Sequence, residues 1–414
     1  MTGGSGSDQP TPADQFSATD RRALASVATQ FFVNGALFAS VYPRLPEIRD
    51  QVGIGIEQVG LLLSVAGLAG LLGSAAVGPA VSRLGSRRVM IIFGALMALS
   101  LPVIGFATAP LVLVIGLIGL QVFDPLVDSA MNLQGSWLSG RRHTPVMSRL
   151  HGLWSLGTVI GGLAASRLAA AGVSLQVHLA GAAALLGLGL IYVGRGLLRV
   201  DEHQTSPPDA APDAGPIDDG GAGPGDGGAA ADRGSVVLAL LAASGLFAVA
   251  VETVSSDWAA FRFTDDFDTP AGRAALAYVA VTTGMTIGRF AGDWAGQRLG
   301  PGRLRGVTNT LTFAGLALAT LVDSPPLSLL GLFVSGIGAA SMLPTIYDRA
   351  ARHPGRPGAG LGALTAGLRV SGLAMPVLVG GLAATSLSVG SAMAIVTLPA
   401  VIGFAIAGRA LARR

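Results

Sequence analysis

The feature that most constrains this chain is the recurrence of apolar stretches of about twenty residues or more, cut by short arginine-bearing loops. They run 22–42, 56–81, 87–107, 109–137, 150–172 and 174–197, then 235–261, 273–296, 304–322, 326–347, 358–387 and 389–410. A helix rises 1.5 Å per residue, so about 20 apolar residues cover the roughly 30 Å hydrocarbon layer of a membrane. Within that layer every backbone N–H and C=O must be bonded internally, and long continuous apolar runs do this as helices. The sequence therefore predicts an all-α polytopic membrane protein with twelve transmembrane helices. Charge agrees: Asp, Glu, Lys and Arg make up 12% of the chain, where a soluble domain carries about 25%. The 60 glycines suit helices whose backbones approach closely.

Arginine divides the loops into two sets. One side receives Arg21 and Arg22, Arg83 with Arg87 and Arg88, Arg141 and Arg142, Arg195 and Arg199, Arg298 to Arg305, Arg349 to Arg356, and Arg409 to Arg414. The other side has Arg44, Arg49, Arg262 and Arg273, offset by Glu47, Asp50, Asp265, Asp266 and Asp268. The positive-inside rule then puts both termini in the cytoplasm. Residues 1–20 are polar and lack a signal peptide's hydrophobic centre, so they are expected to be a disordered cytoplasmic tail. Residues 200–234, rich in Asp, Gly, Pro and Ala, read as a flexible cytoplasmic linker between two six-helix bundles, 21–199 and 235–414. An internal echo supports the division: Arg83-Leu-Gly-Ser-Arg-Arg after the second stretch returns as Arg298-Leu-Gly-Pro-Gly-Arg after the eighth. A second echo pairs 140–145 with 351–357, after the fourth and tenth stretches.

Several chemistries are excluded. The chain has no cysteine, and all 27 basic residues are arginine, which removes thiol catalysis, disulfides and lysine Schiff bases. The net charge of +3 is spread over short loops and is no nucleic-acid footprint. No metal cluster, P-loop or nucleophile–base arrangement can be read, so neither an enzyme, a cofactor protein nor an ATP-driven pump is expected.

The most informative stretch is 111–137, which opens as lipid-phase helix and then carries Gln121, Asp124, Asp128 and Asn132. Steps of three, four and four place these groups on one helical face. An ionised carboxylate deep in hydrocarbon costs roughly 2.5–3.5 kcal/mol on insertion scales, so a face holding two should look into a bundle or a wet cavity. Two carboxylates one turn apart disfavour double ionisation, which suits Asp124 and Asp128 to binding and releasing a proton. The competing reading is permanent neutralisation by an arginine such as Arg369 in the eleventh stretch. Pro125 between them removes a backbone donor and is expected to bend the helix. Glu252, in the middle of the seventh stretch, is a third proton-coupling candidate or else a helix–helix ion pair. Gln30 and Asn34 on the first stretch, with His151 and Trp154 at the start of the fifth, are candidates for touching a substrate. Arg369 must find an anion, either a protein carboxylate or a bound solute. Arg289 and Asp293 are four apart and most simply pair with each other.

Twelve stretches, two halves, a long middle linker and arginine–glycine loops resemble the major facilitator superfamily over nearly the whole chain after residue 20. The superfamily's loop motif, G-x-x-x-D-R-x-G-R-R, is met by Gly78, Arg83, Gly85 and Arg87; Ser82 stands at the aspartate, Ser86 at the first closing arginine, and Arg88 follows one place late. The resemblance implies that this loop, with Arg289, Asp293 and Arg298 in the other half, belongs to the cytoplasmic gate. Within the superfamily, Asp128-Ser-Ala-Met-Asn132-Leu-Gln-Gly, the segment 149–162 and Val251-Glu-Thr-Val-Ser-Ser-Asp-Trp258 resemble a bacterial group related to fucose permease. That resemblance implies that Asp128 carries a proton and that Asn132 is its polar neighbour. The group's second carboxylate falls near Ala39 here, a place Glu252 can fill from across the pseudo-twofold axis. The implied function is a monomeric secondary transporter taking up a small polar, sugar-like solute with protons by alternating access. Its closest rival is an efflux antiporter, though Thr158 stands where the antiporters' span-five motif carries proline. A membrane sensor that moves nothing is the third alternative.

Overall fold

The computed structural model describes residues 17–142, 146–199, 227–353 and 358–413, with the side chains of 227–234 and of Asp293 outside the description. All regular structure among these residues is helical. The elements are α1 (Ala18–Val41), α2 (Leu45–Val52), α3 (Ile56–Gly105), α4 (Pro110–Arg142), α5 (Met147–Ala170), α6 (Leu175–Gly196) and α7 (Gly227–Asp257). They continue with α8 (Ala259–Phe261), α9 (Ala271–Leu321), α10 (Pro325–Ala339), α11 (Met342–Ala351), α12 (Ala359–Ala383) and α13 (Val389–Ala412).

Ten helical stretches among the described residues are long and apolar enough to cross a membrane. Two elements are double length: α3 has 50 residues and α9 has 51. Each is interrupted at one glycine with positive φ, Gly85 (74°) and Gly300 (73°). A residue with a Cβ is strained there, so glycine is what lets the chain turn back. Both glycines occupy the same place in the echoed Arg-Leu-Gly loops. Each long element is thus a pair of crossings. With α1–α2 and α10–α11 making one crossing each, the described chain crosses twelve times.

Packing repeats the same symmetry. In the first half α3 packs on α4, α1 on α5 and α6, and α3 on α6; in the second α9 packs on α10, α7 on α12 and α13, and α9 on α13. The halves meet through α3 against α12 and α5 against α9. Without a hydrophobic drive between helices in lipid, small residues carry such contacts by letting backbones come close. Gly73 of α3 is one such case, since a Cβ there would lie 2.0 Å from the Val122 carbonyl oxygen of α4.

Two boundaries differ from the sequence reading. The helical chain starts at Ala18, inside the stretch expected as tail. Ser17 caps α1 by accepting from Asp20 N at 3.0 Å, Asp20 returns a bond to Ser17, and Asp20 Oδ1 accepts from Arg141 of α4 at 2.7 Å. A capping box and an ion pair order what composition alone assigns to a tail. Likewise α7 begins at Gly227, inside the stretch expected as linker, where three consecutive alanines favour helix. The remainder of both stretches, 1–16 and 200–226, lies outside the described residues, as do 143–145 and 354–357 of the second loop echo.

On the side away from the start of α1 and the end of α13, arginines stitch the crossings together. Arg44 donates to Glu47 at 2.5 and 2.8 Å and to the Val173 carbonyl at 3.0 Å, and contacts His178 of α6 at 3.2 Å. Arg262 occupies the corresponding place in the second half. It pairs with Asp266, whose carboxylate also accepts from the first two backbone N–H groups of α13, Val389 at 2.9 Å and Gly390 at 2.8 Å. Arg49 joins the halves, bonding Asp50 and Asp265 and lying over the Phe261 ring. Deeper contacts follow at Ser64 Oγ to the Leu373 carbonyl (2.7 Å) and Ser166 Oγ to the Gly272 carbonyl (2.6 Å). Trp258, which the sequence suggests for a membrane surface, is 1% exposed and packs on Phe261.

Candidate functional site

Because the halves touch tightly on that side, the space between them lies on the other. A cavity of about 1240 Å³ runs from Phe38 and Tyr42 at its closed end to Arg149, Leu304 and Thr345 at the end facing the start of α1 and the end of α13. Helix α4 supplies its polar wall. Gln121, Asp124, Asp128 and Asn132 all line the cavity, as their spacing requires of one face. Pro125 sits among them inside a helix that stays continuous from Pro110 to Arg142. Neither Asp124 nor Asp128 forms an ion pair among the described residues.

Asn34 of α1 donates through Nδ2 to Asp124 Oδ1 at 3.0 Å and accepts at Oδ1 from Trp154 Nε1 of α5 at 2.8 Å. Asn132 Nδ2 donates to the main-chain oxygen of Asp128 at 2.9 Å. His151 lines the cavity one turn before Trp154, its ring edge-on to Phe31 with centroids 5.1 Å apart. From the second half come Ser256 and Asp257 of α7, Tyr278 and Arg289 of α9, and Tyr347 of α11. Ser256 Oγ donates to Asp257 Oδ1 at 2.8 Å. Arg289 donates to Ser155 Oγ of α5 at 3.0 Å and pairs with Glu252 of α7 at 3.4 Å. The arginine therefore spans the two halves. The side chain of Asp293, its expected partner, lies outside the described residues.

Two expected substrate contacts are elsewhere. Gln30 is 0% exposed, sits near Gly94 of α3 and has no hydrogen-bond partner for its amide among the described residues. It is one turn from Asn34 but turned into the first half's own core, because the lining of a tilted helix does not follow one residue column down its length. Arg369 is exposed on α12, outside the cavity lining, and forms no ion pair among the described residues. The helix turns it away from the acids of α4, so it neither neutralises them nor faces the cavity.

The loop residues play structural parts. Arg87 donates twice to the Gly194 carbonyl of α6, at 3.0 and 2.7 Å. Ser86, where an arginine was expected, is buried and accepts from Gln134 of α4 at 2.9 Å. Arg83 and Arg88 are exposed, Gly78 has open space around it, and Arg298 lies over Trp294 with 4.6 Å to the ring centre. Sequence reasoning missed Tyr42, Tyr278 and Tyr347 as lining residues. A tyrosine hydroxyl in an apolar stretch needs a polar or wet neighbour, and that was the available signal.

The sequence matches the Major Facilitator Superfamily over residues 27–376. The chain belongs to the major facilitator superfamily. An uncharacterized MFS-type transporter of Yersinia pestis is 25% identical over 332 residues, covering 80% of this chain and 81% of the relative. Membrane protein MosC of Rhizobium meliloti is 23% identical over 335 residues, covering 79% and 75%. Among solved structures, the nucleoside transporter NupG aligns with a TM-score of 0.72 at 13% identity, covering 96% of this chain and all of that one. An inward-facing bacterial homolog of the human lysosomal transporter Spinster aligns with a TM-score of 0.65 at 14% identity, covering 96% of each chain. These structures share the fold. As a major facilitator protein, the chain is a multi-pass membrane transporter, and the cavity between its halves is where a small-molecule substrate would lie.

Proposed function

We propose that this transporter is a proton symporter for a small polar, sugar-like solute, working by alternating access in a bacterial inner membrane with both termini cytoplasmic. The observation that carries the reading is the placement of Asp124 and Asp128 on the cavity wall, paired with no arginine among the described residues, beside the amides of Asn34, Gln121 and Asn132. Such a wall offers a proton site and hydrogen-bonding groups for hydroxyls together, which suits a solute bound near the midplane between two halves. The bundles 21–199 and 235–414 would rock about it as units within one monomer, the cavity here being open to the cytoplasm. Segments 128–135, 149–162 and 251–258 support a place near the fucose-permease-related group.

A second reading has one observation in its favour. Phe38, Tyr42, Trp154, Tyr278, Phe290 and Tyr347 also line the cavity, as a route for efflux of apolar compounds would need. Aromatic rings stack on sugars as well, so this lining does not single out an apolar cargo, and the polar wall supports a polar one. The test is a melting panel of neutral sugars and related polyols against apolar amines on the purified protein, since a ligand favouring the folded state raises Tm. Sugars raising Tm support a polar, sugar-like cargo. Apolar amines alone raising it would replace that cargo by an apolar one, as the efflux reading requires.

A further inference from the structure

Where the seam between α3 and α12 ends, a cation stands. The two helices run antiparallel. Gly380 and Pro376 of α12 lie against Ile56 and Gly60 of α3. Further along, Ser64 Oγ donates to the Leu373 carbonyl at 2.7 Å, and a Cβ on Gly67 would lie 3.4 Å from the Gly372 oxygen. Steps of four, three and four lead from Gly380 through Pro376 and Leu373 to Arg369. The arginine is therefore on the face that packs α3, one turn past these contacts. The helices fork there: Gly70 and Gly73 of α3 meet α4 rather than α12, and Arg369 is exposed.

Neither helix of the fork supplies a counter-charge, since α12 contains no acid and α3 has none after Glu57. On α7, which packs on α12, Glu252 is paired with Arg289 and Asp257 lines the cavity. Arg369 forms no ion pair among the described residues. Around it the fork is apolar. Leu68 and Leu72 of α3 are 54% and 71% exposed, and Val370 beside the arginine is 52% exposed. Open water would leave these side chains uncovered, and lipid tails alone would leave the guanidinium without an anion. A phospholipid satisfies both, with its chains against the leucines and its phosphate on the arginine. Depth agrees. Arg369 is ten residues past Ala359, about 15 Å along the helix. Its side chain tilts back toward the helix start, which is the cytoplasmic end in the orientation proposed above.

We propose that the fork between α3 and α12 is a binding site for a lipid of the inner leaflet, with Arg369 holding the phosphate of an anionic headgroup. A guanidinium offers that phosphate two parallel donors, and basic pockets between crossings on the cytoplasmic side suit anionic headgroups. The site is separate from the polar wall of α4 and needs no cargo, so its failure would leave the symport reading standing.

Because the chain has no cysteine, a single Leu68→Cys carrying a fluorophore can report which lipid fills the fork. The full-length protein is reconstituted in mixed phosphatidylcholine and phosphatidylglycerol, with one or the other brominated so that its chains quench the label. Mole for mole, brominated phosphatidylglycerol should quench about fivefold more effectively, and adding Arg369→Gln should remove the preference. A label at Leu185→Cys, on α6 and 70% exposed, should show no preference with Arg369 intact. That comparison holds even if R369Q fails to fold. Equal quenching by both lipids at Leu68, the same preference at Leu185, or a preference that survives R369Q overturns the site. A preference abolished by inorganic phosphate in the buffer also overturns it, because the arginine would then be taking a free anion rather than a lipid.

Discussion

Asp266 answers to three groups at once: the Arg262 guanidinium and the backbone N–H groups of Val389 and Gly390. Arg262 is 5% exposed, so removing its carboxylate leaves a buried cation without its counter-charge, held by the Val322 carbonyl and the Phe267 ring. Asp266→Ala is expected to destabilise the protein by about 3–5 kcal/mol, read as a large fall in Tm, while Asp266→Asn keeps one of the two oxygen acceptors for α13 and falls less. Equal Tm values for D266A and wild type would contradict this. Gly73 makes a separate case, since its Cβ position is already occupied by the Val122 carbonyl. Gly73→Val should cost about 1–3 kcal/mol through forced separation of α3 and α4; an unchanged Tm would show that the helices can part freely. At this scale the sequence was legible where spacing alone decides. Gln121, Asp124, Asp128 and Asn132 share a face because their intervals match a helical turn. Gln30 and Arg369 were not legible, because a sequence gives depth along a helix but not the helix's rotation against its neighbours.

Between elements, the decisive contacts are those joining the halves on the closed side. The sequence showed the carboxylates there only as offsets to arginine in a charge count; the fold makes several of them partners, Glu47 with Arg44, Asp266 with Arg262, and Asp50 and Asp265 with Arg49. Of these, Arg49 to Asp265 crosses from α2 to the turn after α8, and both side chains are partly buried. Arg49→Ala should favour opening on that side. A loss of about 1 kcal/mol shifts such a balance roughly fivefold. The chain has no cysteine, so a single Ser256→Cys placed on the cavity wall can report access. Labelling by an impermeant maleimide from outside intact cells should rise about fivefold when R49A is added. No rise would mean that Arg49 does not hold the closed side. The turns inside the two double-length helices, by contrast, fall in loops that the sequence echo marks. Gly85 and Gly300 stand in echoed Arg-Leu-Gly loops, and the backbone conformation both adopt is one that glycine permits most readily.

For the whole molecule, the twelve crossings followed from the length and apolarity of the stretches, since a bilayer leaves few other ways to satisfy a backbone. The shape and openness of the cavity did not follow, because they depend on how α3 meets α12 and α5 meets α9 far apart in sequence. What the assembled structure adds is a polar wall on α4, set against Asp257, Tyr278 and Arg289 of the other half across a space large enough for a small solute. The central claim is that a proton on this wall drives accumulation. Its most direct measurement is uptake of a stabilising solute into proteoliposomes with and without an imposed pH gradient, for wild type and for Asp128→Asn of equal Tm. Wild type should concentrate the solute only with the gradient, and D128N should bind it yet never exceed equilibrium. A D128N protein that concentrates solute as wild type does would contradict the account.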